Sequence, residues 1–130
     1  IQAFARIGLV PDSGGSFTLP RKIGHARAAA LLMLGDSISA EQAEAWGMIW
    51  KCVDDAALAT EAQVLPARLA AAPTKSLGLI KRLLNASATN TLDQQLDLER
   101  DLQRIAGSSE DYREGVTAFR EKRKPVFKGR

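Results

Sequence analysis

The stretch Gly8-Leu9-Val10-Pro11-Asp12-Ser13-Gly14-Gly15, followed by Leu19-Pro20-Arg21, decides how this chain reads. It sets one carboxylate, Asp12, between an apolar run (Ile7, Leu9, Val10) and a glycine pair that opens a helix. A carboxylate beside apolar side chains loses hydration, which raises its pKa and lets it carry a proton near neutral pH. Gly14 and Gly15 lack Cβ atoms and allow another group to approach the backbone. The same position also suits an N-cap, whose oxygens accept the orphan amide hydrogens of a first helical turn. Capping lowers a carboxyl pKa and catalysis wants it raised, so the residues by themselves leave both readings open.

Composition bounds the rest. The 130 residues suffice for one domain with its own core, and 45% apolar with 25% charged residues is the balance of a folded globular chain. No apolar run is long enough to cross a bilayer, and no leader-like segment stands at the front, so no membrane association is expected. Cys52 is the only cysteine, which excludes an internal disulfide and a cysteine-rich metal site, and points to a reducing, cytoplasmic setting. The net charge of +3 is concentrated at the end, where Arg113, Arg120, Lys122, Arg123, Lys124, Lys128 and Arg130 face only Glu114 and Glu121. Basic residues in this pattern read as a solvated helix face. Without aromatic residues spaced for base stacking, no nucleic acid is expected as partner. The first residues, Ile1-Gln2-Ala3-Phe4, already belong to an apolar segment and lack a methionine, as in a piece of a longer chain.

Along the chain, residues 1–10 read as a short apolar β/loop start. A helix is expected from about Ser13 to an interruption at Pro20. Another is expected from His25 to Leu34, stopped by Gly35. Ser39-Ala40-Glu41-Gln42 has the capping-box form and starts a short helix ending near Gly47. Met48-Ile49-Trp50-Lys51-Cys52-Val53 is the strand candidate, short, apolar and bounded by Gly47 and Asp54-Asp55. From there the pattern is helical. One helix spans 55–71, and a second is capped by Thr74 and carries Leu77, Ile80, Leu83 and Leu84. A third covers 91–106, and the last, with Tyr112, Val116 and Phe119 on one face, ends before Pro125. His25 and Cys52 read as ordinary helix and buried apolar residues, and Trp46 and Trp50 as packing groups.

With these segments placed, the chain resembles the C-terminal half of enoyl-CoA hydratase/isomerase (crotonase) superfamily proteins. The carrying residues are Phe4, Ile7 to Gly15, Leu19-Pro20-Arg21, Gly24, Ser39-Ala40-Glu41-Gln42-Ala43 and Trp46-Gly47-Met48. Ser109 to Val116, Ala118-Phe119 and Glu121-Lys122-Arg123 complete the set, in order across all 130 positions. Ala43 to Trp50 and Asn90 to Asp101 further resemble the isomerase branch that acts on ring-1,2-epoxyphenylacetyl-CoA in phenylacetate degradation.

The resemblance implies an α/β crotonase-like spiral fold, of which this chain is a mostly α-helical C-terminal portion with a short β/loop start. Residues 1–22 would end the spiral core and carry the acid/base Asp, and 23–130 would form a helical region for assembly and CoA contact. It implies an acyl-CoA thioester as substrate, no cofactor and no metal, and a homotrimer or hexamer. The second glutamate of typical hydratases would fall at Ala5, or at Phe4 if the alignment slips by one, and neither transfers protons. That departure favours an isomerase in which Asp12 is catalytic. Phe119 and Lys122 match the family's contact with the adenine and phosphate end of CoA. From composition alone, Phe119 would be a core residue and Lys122 a solvated charge. Alternatives are a Δ3,Δ2-enoyl-CoA isomerase, an enoyl-CoA hydratase of fatty-acid β-oxidation, or an inactive helical assembly fragment. The oxyanion hole and first CoA-binding loop would lie upstream, so the chain alone is expected to be inert.

Overall fold

A computed structural model describes residues 1–130, which form seven α-helices and one 3-10 helix. The helices are α1 (Gly15–Ile23), α2 (His25–Leu34), α3 (Ala40–Ala45), α4 (Asp55–Ala70), α5 (Thr74–Ala86), α6 (Leu92–Gly107) and α7 (Glu110–Glu121). They divide into two compact units, Ile1–Ala57 and Leu58–Arg130, with the division in the first turn of α4.

The expected β start is absent. Ala3–Ile7 is a 3-10 helix, closed by Gly8 at φ +74° and tied to the end of α2 by an ion pair from Arg6 to Asp36 at 2.9 Å. The strand candidate at 48–53 is irregular too, for a local reason. The N–H groups of Met48 and Ile49 both donate to the carbonyl of Ala43, at 2.9 and 3.4 Å, so they finish α3 instead of joining a ladder. Apolar content could not supply a partner strand, nor does it bury the segment, since Ile49 and Trp50 are exposed and Trp50 is no packing group within the chain.

Pro20 does not interrupt its helix either. It sits inside α1, where the missing donor orphans only the carbonyl one turn back, at exposed Ser16. α2 runs over the expected residues and ends at Gly35 in the left-handed conformation. Ser39 caps α3 by accepting from the Gln42 N–H, whereas Thr74 is the first residue of α5 and caps nothing. The reciprocal capping box belongs to α6, where Thr91 and Gln94 exchange bonds.

In the first unit α1 packs on α2 through Leu19, Ile23, Ala28 and Leu31, flanked by Leu32, Ile38, Trp46 and Met48. Burying each of the larger side chains contributes roughly 2 kcal/mol. In the second unit α5 packs on α6 and α6 on α7, with Leu102 and Ala118 buried. No helix is long and apolar enough to cross a membrane.

Candidate active site

Asp12 stands at a turn that leads into α1. Its carbonyl accepts the Gly15 N–H at 2.8 Å, and both intervening residues are left-handed, Ser13 at φ +50° and Gly14 at φ +78°. That is the backbone pattern of a type I′ turn, which strongly favours glycine at Gly14 and holds Ser13 where a side chain is normally disfavoured. Gly15 has no such need, since a Cβ there would meet Pro11 at an ordinary 3.7 Å.

The structure decides against the capping role for Asp12. The N-cap of α1 is Gly14, no side chain bonds to the first turn, and the Asp12 carboxylate is exposed without a hydrogen bond or ion pair. The carbonyl of this residue is committed to the turn and its side chain is not. The apolar neighbours do not enclose it within this unit: Ile7, Leu9 and Val10 are 73%, 58% and 80% exposed. They are exposed apolar side chains that precede a charged group along the chain. Phe4 and Ala5 lie in the 3-10 helix and offer no proton-transferring group.

Phe119 and Lys122 belong to the second unit. Phe119 is 85% exposed, which overturns its assignment to the core from composition alone. It lines an apolar groove of about 570 Å³ together with Ile80, Leu83, Leu102, Val116 and Phe127. Lys122 does not continue the helical face of Phe119. α7 ends at Glu121, and Lys122 follows as a left-handed C-cap at φ +54° with its ammonium unpaired.

Beside Lys122 the charges are organised more than the sequence conveyed. Arg123 grips both oxygens of Glu114 at 2.6 and 2.9 Å and donates to Glu121 at 2.6 Å. Arg123, together with the Val126 N–H, holds the Glu114 carboxyl down at about 2. Asp111, 3% exposed, accepts the Lys128 and Gly129 N–H groups at 2.7 and 2.8 Å, and its own N–H donates to the Arg130 carbonyl. The chain end is thus a return strap latched onto α7, not a basic helix face. Glu110-Asp111 and Glu114 were visible within a motif, but their partners in the strap lie nine to twenty residues onward, beyond any periodic signal.

A second cleft, of about 480 Å³, lies in the first unit between Glu41, Glu44, Cys52, Val53, Asp54 and Asp55. Its four carboxylates repel phosphates, so it does not suit a nucleotide tail. Cys52, half-buried and outside any strand, has its thiol pushed up by desolvation and then by Glu41 and Glu44, and stays protonated.

A family model described as enoyl-CoA hydratase/isomerase matches residues 1–130. The chain belongs to the enoyl-CoA hydratase/isomerase family. It is 58% identical over its whole length to 1,2-epoxyphenylacetyl-CoA isomerase of Escherichia coli K12, of which it covers 50%. It is 37% identical to trans-2-decenoyl-[acyl-carrier-protein] isomerase of Streptococcus mutans, of which it covers 49%. Among solved structures, an enoyl-CoA hydratase from Polaromonas sp. JS666 superposes with a TM-score of 0.91 at 36% identity, over 97% of this chain and 49% of that one. The crotonase-type likeness is therefore one of sequence and of structure, although the short β start expected with it is not present. The chain spans about half the length of the curated relatives it matches.

Proposed function

We propose that the protein carrying this chain is an acyl-CoA isomerase that converts ring-1,2-epoxyphenylacetyl-CoA to oxepin-CoA, with Asp12 as the proton-transferring group. One observation carries this reading: a carboxylate without partners on a turn closed by its own carbonyl, which accepts the Gly15 N–H. An acyl thioester laid over Asp12 and the exposed Ile7, Leu9 and Val10 that precede it would strip water from the carboxylate and leave the substrate as its partner in proton exchange.

In this mechanism Asp12 moves a proton at the thioester-activated acyl group as an enolate-like intermediate forms and collapses, while the three-membered ring opens and expands. No atom is gained or lost, as isomerisation requires. Stabilisation of the enolate oxygen by two backbone N–H groups is the family's contribution from outside these residues. The identity to an isomerase supports the branch, and so do Ala5 and Phe4 where a hydratase would need its second glutamate.

Phe119, exposed beside the apolar groove, would stack on the adenine of CoA, and Lys122 would meet its phosphates. Residues 1–22 then serve the chemistry, and 23–130 serve assembly into a trimer or hexamer and CoA contact, with no cofactor beyond the thioester substrate and a cytoplasmic setting.

The test offers the intact protein three thioesters: the ring epoxide, a linear 3-enoyl-CoA and a linear 2-enoyl-CoA. The expected order of kcat/KM puts the ring epoxide first by at least about a hundredfold. Preference for the 3-enoyl substrate would move the assignment to a Δ3,Δ2-enoyl-CoA isomerase, and rapid hydration of the 2-enoyl substrate would refute isomerisation.

A further inference from the structure

Lys122 sits where a helix stops, in a conformation that glycine or asparagine normally supplies. Its N–H lies 3.3 Å from the Phe119 carbonyl, and the Arg123 N–H donates to Ala118 at 3.0 Å, so the closing backbone bonds are those of a glycine-type cap. A long side chain held in the left-handed region persists only where its surroundings over-determine it. Here the surroundings are two carboxylates and a guanidinium. Glu121 and Arg123 are bonded to each other across Lys122, and Glu114, about two turns back on α7, anchors Arg123 through two bonds. Val126 completes the knot by donating to Glu114 at 2.8 Å. Arg123 is fully committed and Lys122 is uncommitted, although both are basic neighbours at one helix end.

We propose that Glu114, Arg123 and Glu121 form a clamp that positions Lys122 for the phosphate-bearing end of the CoA thioester, with Arg123 acting as a structural cation and not as a phosphate ligand. This deepens, and rests on, the assignment of Lys122 to CoA. Charge alone argues for the opposite sign. Carboxylates near a polyanion repel it, so removing one should tighten binding. The clamp requires that removing one weakens it.

The experiment measures CoA affinity of the intact protein by calorimetry for Glu121→Gln, Glu114→Gln and Lys122→Gln. Glu121 is exposed and paired only with Arg123, so its variant keeps its fold. Glu121→Gln is expected to raise Kd about threefold and to raise KM for CoA thioesters while kcat holds. The affinity for the matching pantetheine thioester, which lacks the nucleotide, should not move, and a merely structural role would not produce that split. Glu114→Gln should act in the same direction. Lys122→Gln should raise Kd by about tenfold. If Lys122→Gln weakens CoA while Glu121→Gln leaves Kd level or lowers it, the clamp is overturned and the assignment of Lys122 stands. If Lys122→Gln leaves Kd unaltered, both fall.

Discussion

Asp12 and Asp111 are the same residue type put to opposite uses. Asp111 is buried and answers two backbone N–H groups, and its own amide is engaged by Arg130. Asp12 is exposed on a turn closed by one bond to its carbonyl, and its carboxylate answers nothing. The first is spent on holding the chain together and is therefore unavailable for chemistry. The second contributes nothing visible to the fold, yet the residue that follows it, Ser13, is held in the left-handed region at φ +50°. Glu114 sides with Asp111, being bound by Arg123 and Val126. Asp12 on one side and Asp111 with Glu114 on the other thus separate by what their carboxylates bond to, not by residue type.

Three substitutions probe that separation, in descending order of effect. Asp111→Ala should cost about 2–3 kcal/mol, since two charge-assisted bonds to the strap are lost together. Urea unfolding of the second unit checks it, and a loss under 1 kcal/mol would mean that the strap is held by other contacts. Ser13→Gly should stabilise by roughly 1 kcal/mol, because glycine enters the left-handed region without strain. If strain at Ser13 aims Asp12, the same variant lowers kcat even as its melting temperature rises. A gain in both would separate the strain from the chemistry. The smallest effect is in pH. Glu114 is held at about 2 in the folded chain and returns to the ordinary carboxylate range on unfolding, so its contribution is complete above that range and fades as pH falls towards 2. Glu114→Gln should therefore flatten the acid limb of melting temperature against pH. An unchanged limb would show that the pair with Arg123 adds nothing to stability.

Much of this was legible in the sequence. α2, α3, α4 and α6 lie within a residue or two of their expected bounds, because alanine and leucine periodicity, Ser39 and Gly35 are local signals that act locally. Asp12 was legible as a singular carboxylate, but whether it capped α1 depended on two left-handed residues that move the cap to Gly14. The strand at 48–53 was misread because strand formation depends on a partner, and the amides of Met48 and Ile49 were already taken by Ala43. Phe119 was misjudged from hydrophobicity alone, since an aromatic on the apolar stripe of a helix says nothing of what covers that stripe. The strap was illegible for a different reason. Asp111 meets Gly129 eighteen residues on through backbone N–H groups, which every sequence possesses.

The central claim is that the free carboxylate at position 12 carries the proton. Asp12→Asn in the intact protein keeps the side chain's shape and removes its ability to exchange a proton. Turnover of the preferred CoA thioester is then measured beside CoA affinity and melting temperature. The account predicts a fall in kcat of about 10²–10⁴-fold with the other two unchanged, because no bond in the fold depends on that side chain. Turnover at the wild-type rate, or a loss of activity matched by a loss of stability, would contradict it.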